Sequence, residues 1–477
     1  MLNALIKKDL RNHVLSFRFQ ATFLLLLVIV PITVLVLTND SIRKQDDYSR
    51  RQADIQSYLG RYAHFNRIGN VIAPAQPPFP FLALVRGLSA DVNMGSFDND
   101  PLPVMFPLID LTFIVAILLS LAALVFTYDA VSGEKEDGTL KLTLANSVPR
   151  SNIILAKILG GVEALLIPFL VSLAVGMILL LLNPRVGWKG SDWGALGLIV
   201  AGAVFYLALF AGLGVLVSSR HRNSASSIMT SLFVWVLIVL IIPNLSPYAA
   251  SLLKPTPSRI KIDREISRLT DVERDDLGRK LMKEKTAAVH KQYPVLAPIE
   301  RMSENEIQAA VRKDPAFAQA YGFLRGAFEA AWKEANAVQG AKAKVLQDDL
   351  DIRQKAQTRL AVSLSMVSPL ADFTYLIADL SNTGMRNLSH FEALNKSWGR
   401  TFADYEQKKV QDILKANPAA DVWNTATDMT DLPRFQYREE ALGGRIAGTI
   451  RDFVVLIAAG LLLFVAAYVS FIRYDAR

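Results

Sequence analysis

The sequence predicts an all-α membrane protein with six transmembrane helices, an N-terminal interfacial helix and a large helical extracytoplasmic domain. Three observations carry this expectation. Of the 477 residues, 52% are hydrophobic, and they are gathered into six long runs. Each run meets, or nearly meets, the roughly 17–25 residues that a helix needs to cross the hydrocarbon core. Between the last two runs lies a long mixed-charge stretch of helical periodicity, polar enough to stand in water.

In residues 1–18, apolar Leu2, Leu5, Ile6, Leu10 and Val14 alternate at helical spacing with Lys7, Lys8 and Arg11. This pattern predicts an amphipathic helix along the cytoplasmic interface, its basic residues turned to the headgroups of membrane lipid. Span one covers 19–38. The sequence that follows it, VLVLTNDSIRKQ, has no Ala-x-Ala-like cleavage site, so the run reads as a retained anchor and not as a signal peptide.

The first extracytoplasmic segment, 39–103, opens with SIRKQDDYSRRQADIQSYLGRYAHF, which extends span one outward as a helix able to pack on the larger domain. Its APAQPPFPF stretch is too rich in proline for a helix interior. Span two is 104–127, a cytoplasmic loop occupies 128–152, and spans three, four and five are 153–182, 194–218 and 226–243. The large helical extracytoplasmic domain, 244–451, carries opposite charges at three- and four-residue spacing in KIDREISRLTDVERDDLGRKLMKEKTAAVHKQY, and a helical hairpin or one long bent helix in 317–360. Span six is 452–472 and the cytoplasmic tail 473–477.

Orientation follows from the short loops, where Lys and Arg favour the cytoplasmic side. Lys7, Lys8, Arg11 and Arg18, then Lys135, Lys141 and Arg150, then Arg220 and Arg222, and finally Arg473 and Arg477 all fall on one side. Arg185 and Lys189 lie on the other and are outvoted. Both termini and the 128–152 loop are therefore expected in the cytoplasm, and the large domain outside.

The net charge of +8 invites a nucleic-acid reading, but the basic residues are spread over membrane flanks and a mixed-charge region with no nucleic-acid module, so no such partner is expected. The absence of cysteine excludes disulfides, thiol catalysis and thiolate metal sites. His13, His64, His221, His290 and His390 are isolated, without metal-site spacing, and no metal site is expected. There is no GxSxG, P-loop or GxGxxG motif, so no catalytic residue is expected and the chain has no route to ATP hydrolysis by itself. The acidic run Asp348–Asp351 reads as a solvated helix face.

An ionisable group at a helix centre costs roughly 2.5–3.5 kcal/mol on insertion scales, which singles out Asp110, Lys157 and Glu163. Asp110 at the outer end of span two and Lys157 near the inner end of span three are placed to reach water. Glu163 is deeper, so either span three starts later or this glutamate faces protein or an aqueous cleft. Gly197/Ala201 and Ala208/Gly212 have the small-xxx-small spacing of close helix packing.

In the loop, Glu134, Lys135, Glu136 and Asp137 precede Gly138, which can break the helix, and Thr139, which opens the run Leu140, Leu142, Leu144. By physics alone this is a docking surface for a soluble partner. The stretch SGEKEDGTLKLTLANSVPRSNIILAKILGG resembles the cytoplasmic loop of ABC-2 type permeases, the membrane subunits of type V ABC transporters. GLGVLVSSRHRNSASSIMTSLFVWVLIVLIIP is similar to the family's passage from span four to span five. SPLADFTYLIADLSNTGMRNLSHF and PPFPFLALVRGL resemble a subgroup with a long extracytoplasmic insert between spans five and six.

The resemblance implies a non-catalytic permease subunit. Glu134, Lys135, Glu136, Asp137, Gly138 and Thr139 would form the coupling element, seated on a separate ABC ATPase present in two copies that binds ATP and Mg. A second permease, identical or homologous, would complete the complex, and export is the family's usual direction. The rival expectation is a mechanotransmission or scaffold complex, acting on an envelope protein through the outer domain without moving cargo.

Overall fold

The computed structural model describes residues 2–61, 63–87, 109–145, 148–416, 422–423 and 426–473. Residues 88–103 of the first outer segment, the expected start of span two at 104–108, loop residues 146–147 and tail residues 474–477 lie outside this set. Among the described residues the secondary structure is helical, with no strand. Six helices are long and apolar enough to cross a membrane: Phe17–Gly60, Leu111–Glu136, Arg150–Leu181, Gly190–Arg220, Ser224–Leu253 and Leu442–Ile472. They are spans one to six, and the chain is a multi-pass membrane protein of the predicted all-α class. Ser132–Glu136, here α2, is the short helix that closes the range of span two; outside the spans, α1 is Leu2–Val14, α3 Thr139–Ala145, α4 Pro369–Leu380 and α5 Met385–Ala416.

The chain divides into two compact units, Met1–Pro243 with Met366–Arg477, and Asn244–Ser365. The single outer domain expected over 244–451 therefore splits, and its last two fifths or so, from Met366, belong with the helix bundle. The reason lies in α4, whose face of Phe373, Leu376, Ile377 and Leu380 is buried in the main core. Phe373 stacks on Tyr206 of span four with ring centroids 4.6 Å apart. Burial of a large apolar side chain of this kind is worth roughly 1.5–3 kcal/mol, so this short helix is held with the spans.

In the bundle unit, span one belongs to one 45-residue helix, Phe17–Arg61. Its far end places Leu59 with Ala63, Phe65, Ile68, Ile72, Val422, Met429 and Leu432 in a satellite core, flanked by Trp398 and Phe402 of α5. Span four is the most enclosed of these six spans. The close approaches along it differ from the expected small-residue pairs: a Cβ on Gly197 would meet nothing within 4 Å and one on Gly212 would be in ordinary contact at 3.8 Å, whereas one on Gly214 would clash with Thr127 Oγ1 of span two.

Two spans contain a wide π turn, Ile114–Leu119 in span two and Val236–Ile241 in span five. Such turns disturb the regular carbonyl pairing of a helix, and here other polar groups reach the carbonyls. Ala116 O accepts from Ser120 Oγ at 2.6 Å and from Tyr206 Oη at 2.8 Å. Ile238 O accepts from Ser368 Oγ at 2.6 Å. Trp235 Nε1 donates to Ser120 Oγ at 2.9 Å, so spans two and five are joined near their irregular turns.

The second unit is built on the helix Arg274–Gln292 and the 51-residue helix Pro315–Ser365. Lys285 pairs with Glu334 at 2.8 Å, and Tyr293 stacks on Phe323 at 5.2 Å. Between the two alternatives read from the periodicity of 317–360, the single long helix is the one observed.

Candidate functional site

At one end of the bundle the basic flanks of several spans converge. Arg18, at the start of span one, reaches the end of span two: its guanidinium is 2.8 Å from Asp129 Oδ2, donates to Val125 O at 3.0 Å and to Tyr128 Oη at 2.9 Å, and lies 4.9 Å from the Tyr128 ring centroid. Arg150, at the start of span three, donates to Ile472 O at 2.9 Å, on the last turn of span six. A cation on terminal carbonyls complements the negative end of the helix dipole.

Between these contacts, three consecutive side chains of α2 take three different partners. Glu134 Oε1 pairs with Lys157 Nζ of span three at 2.8 Å. Lys135 Nζ donates to Ser219 O at 2.6 Å and His221 O at 3.0 Å, at the end of span four. Glu136 accepts from Ser224 N at 3.1 Å and from Ser224 Oγ at 2.6 Å, at the start of span five. Each charge has the sign the helix end prefers: a cation at the C-terminus of span four and an anion at the N-terminus of span five. Below them, Ser218 Oγ accepts the backbone N–H groups of Val131 and Ser132 at 2.9 Å each, and Ser227 Oγ donates to Tyr128 O at 2.6 Å.

Through α2 the loop is thus clamped to spans three, four and five. The expectation that Lys157 reaches water is corrected: it is 6% exposed. Span three begins at Arg150, so Lys157 lies two turns inside it. Ile153, Ile154 and Ile158 around it join Val131, Leu140 and Phe471 in a compact apolar cluster. A buried ammonium needs a partner, and Glu134 supplies it.

Asp137, Gly138 and Thr139 are exposed. Gly138 has φ +71° and open space around it, and it divides α2 from α3. On α3, Leu140 is buried whereas Leu142 is 70% exposed beside exposed Lys141. The side chain of Leu144 lies outside the described residues. A residue with a Cβ pays roughly 1–2 kcal/mol in the left-handed region, which Asn tolerates better. Gly138→Ala is therefore expected to raise the opened population of this loop roughly 5–30-fold, read as faster tryptic cleavage after Lys141, with Gly138→Asn close to wild type. Equal cleavage rates for all three proteins would show that the turn does not hold α3 in place.

The other two polar residues picked out in the spans do not join the clamp. Asp110 is the N-cap of span two: Oδ1 accepts from Phe113 N at 2.8 Å and Oδ2 from Arg86 N at 3.1 Å. Glu163 is half-buried, with no hydrogen bond or ion pair among the described residues. Since the helix begins at Arg150, a late start of span three does not account for it.

Sequence reasoning passed over the hydroxyls of Ser218, Ser224 and Ser227, although their crowding in SSRHRNSASS was a signal. It also passed over a polar group at the far end of the bundle. Asp372 of α4 is 1% exposed, and its Oδ1 has no hydrogen-bond partner among the described residues. Burial, helped by the charge of Asp452 on span six and opposed by Arg451, pushes its carboxyl up to about 7. Burial and Asp452 push Asp379 up to about 6.

The fold and the clamp define a multi-pass helical membrane protein with a surface loop fastened to the ends of several spans. The family model described as ABC-2 family transporter protein matches residues 3–476, and the chain belongs to that family. It is 31% identical over 132 residues to a probable ABC transporter permease protein NosY of Pseudomonas aeruginosa, an alignment covering 28% of this chain and 48% of that protein. To a protein of the same description from Stutzerimonas stutzeri it is 28% identical over 131 residues, again 28% and 48% of the two chains. The chain spans about half the length of the curated relatives it matches.

Proposed function

We propose that the chain is the permease subunit of an ATP-driven ABC transporter, working in export, and that the turn 137–139 with α3 is the surface on which a separate ATPase subunit seats. The observation that carries this reading is the clamp. Glu134, Lys135 and Glu136 bind spans three, four and five, while Leu142 and Lys141 beside them face outward. A push on α3 reaches three spans through charged contacts of 2.6–3.0 Å instead of being absorbed by a floppy loop. The names of the two relatives, probable ABC transporter permeases, agree with it.

In this reading two ATPase copies bind ATP with Mg, a second permease, identical or homologous, completes the path, and this chain does no chemistry. In the same reading the clamp and both termini face the cytoplasm across a bacterial inner membrane, an orientation that the basic flanks of the spans favour. Of the six residues expected to couple, Glu134, Lys135 and Glu136 hold the loop to the bundle, and Asp137, Gly138 and Thr139 present it. A second reading, mechanotransmission to an envelope protein without cargo, draws on the compact water-compatible unit Asn244–Ser365.

The test is co-purification of the tagged chain from its native membrane with mass spectrometry of what stays bound, repeated for Lys141→Glu/Leu142→Glu. An ATP-binding subunit retained by wild type and lost from the variant is expected. Its retention by the variant would move the dock elsewhere, and its absence from wild type would remove the transporter reading. ATPase activity in proteoliposomes then separates the two readings: stimulation by an amphiphilic cargo supports export, and stimulation only by a soluble envelope protein supports mechanotransmission.

A further inference from the structure

At the end of the bundle remote from the clamp, ahead of the first turn of span four, lies a cavity of about 330 Å³. Its apolar wall is Ile42, Phe79 and the prolines 77, 78 and 80. Its polar rim is two cations and two carboxylates in exposed pairs: Arg185 Nη1 to Asp46 Oδ2 at 3.3 Å, and Lys189 Nζ to Glu439 Oε2 at 3.3 Å. Both distances exceed the 2.7–2.9 Å of a good charge-assisted hydrogen bond, and exposed pairs of this kind contribute little. The four charges are therefore available for exchange with a ligand.

The setting is that of a membrane interface. Trp188, between Gly187 and Lys189 of the rim, packs on Phe81 at 5.0 Å and on Trp193 at 5.6 Å, and tryptophan is enriched where a span leaves the hydrocarbon. The neighbouring end of span three exposes Leu181 and Leu182.

We propose that this cavity binds the zwitterionic headgroup of a phospholipid, a phosphate carrying a primary amine as in phosphoethanolamine. The phosphate takes Arg185 and Lys189, whose donors match its oxygens. The ammonium takes Asp46 and Glu439. The glycerol end lies on the apolar wall of Ile42 and Phe79, and the acyl chains continue along exposed leucines at the end of span three. A purely anionic lipid leaves the two carboxylates facing a like charge. Phosphatidylcholine keeps the positive charge but has no N–H to donate.

The full chain, purified and stripped of lipid in detergent, is titrated with phosphatidylethanolamine, phosphatidylglycerol and phosphatidylcholine of identical acyl chains and read by native mass spectrometry. Phosphatidylethanolamine is expected to bind at least about five-fold more tightly than the other two. Arg185→Gln/Lys189→Gln should weaken it about 5–10-fold, and Asp46→Asn/Glu439→Gln should abolish its advantage over phosphatidylglycerol. All four side chains lie at the surface, so unchanged melting temperatures identify folded variants. Equal affinity for the three lipids, or a preference that survives both double variants, would overturn the proposal. Displacement of the lipid by glycerophosphoethanolamine at equal concentration would overturn its lipid source and leave a site for a soluble phosphate-amine.

Discussion

Lys157→Met is expected to destabilise the purified protein by roughly 3–5 kcal/mol, the cost of removing one member of a buried pair and leaving its partner unpaired. The partner left behind is Glu134, whose second carboxylate oxygen, Oε2, is already buried without a hydrogen bond among the described residues. With the ammonium gone, that carboxylate loses its ion-pair partner among the described residues as well. The swapped pair, Glu134→Lys/Lys157→Glu, keeps opposite charges in contact and is expected to recover much of the loss. The apolar pair, Glu134→Leu/Lys157→Met, avoids charge burial and is expected to be as stable as wild type or up to several kcal/mol more stable. Thermal unfolding in detergent ranks the four proteins. If Lys157→Met alone melted with wild type, the contact at 2.8 Å would have no structural weight. The apolar pair also separates stability from transmission: a well-folded variant with a partner ATPase bound but uncoupled would assign the pair to force transfer.

Asp372→Asn is expected to stabilise the protein above pH 7 and to flatten its stability between about pH 4 and pH 8. The folded carboxyl titrates at about 7, raised above its ordinary value by burial and by Asp452. The folded state therefore holds this proton more tightly than the unfolded chain does. The stability so conferred is complete below the ordinary carboxyl value near 3.8 and is lost progressively as pH rises through about 7. At about 1.4 kcal/mol per pH unit, the change across this window is on the order of a few kcal/mol. Asn keeps the shape and removes the ionisation. Asp452→Asn should narrow the window from the other side by removing the neighbouring negative charge, while Arg451→Gln should widen it. Melting temperatures recorded from pH 5 to 9 read all of these. A wild-type profile as flat as that of Asp372→Asn would mean that water or a counter-ion reaches the carboxylate.

The six spans were legible because a membrane crossing demands a long apolar run whatever it packs against, and the boundaries drifted only where polar residues continue the same helix. Arg150 to Asn152 are helical although they precede the apolar run, which is why Lys157 was placed too near water. The loop was legible as a surface. Which of its charges face inward was not, because Glu134 meets Lys157 across 23 residues and Glu136 meets Ser224 across 88, and no periodicity relates them. The stretch of α4 stood out by resemblance, but its packing among the spans was not legible: 12 residues are too few for a span, and its burial depends on Tyr206 being opposite. The π turns leave no mark in composition, since Ile114–Leu119 and Val236–Ile241 are as apolar as their neighbours.

The helix Phe17–Arg61 is one continuous helix of 45 residues, about 68 Å at 1.5 Å per residue. It is pinned near its foot by Arg18 on Asp129 and held near its tip by Leu59 in the satellite core. Pro31 interrupts its hydrogen-bond ladder about a third of the way along, the natural fulcrum. A lever with a short arm below the fulcrum and one twice as long above it magnifies displacement. A tilt of about 5° at the proline would carry the tip, some 45 Å beyond it, through about 4 Å. A small tilt at Pro31 would thus emerge at the tip of this helix as a movement on the scale of a side chain, a gain in amplitude set by chain length alone.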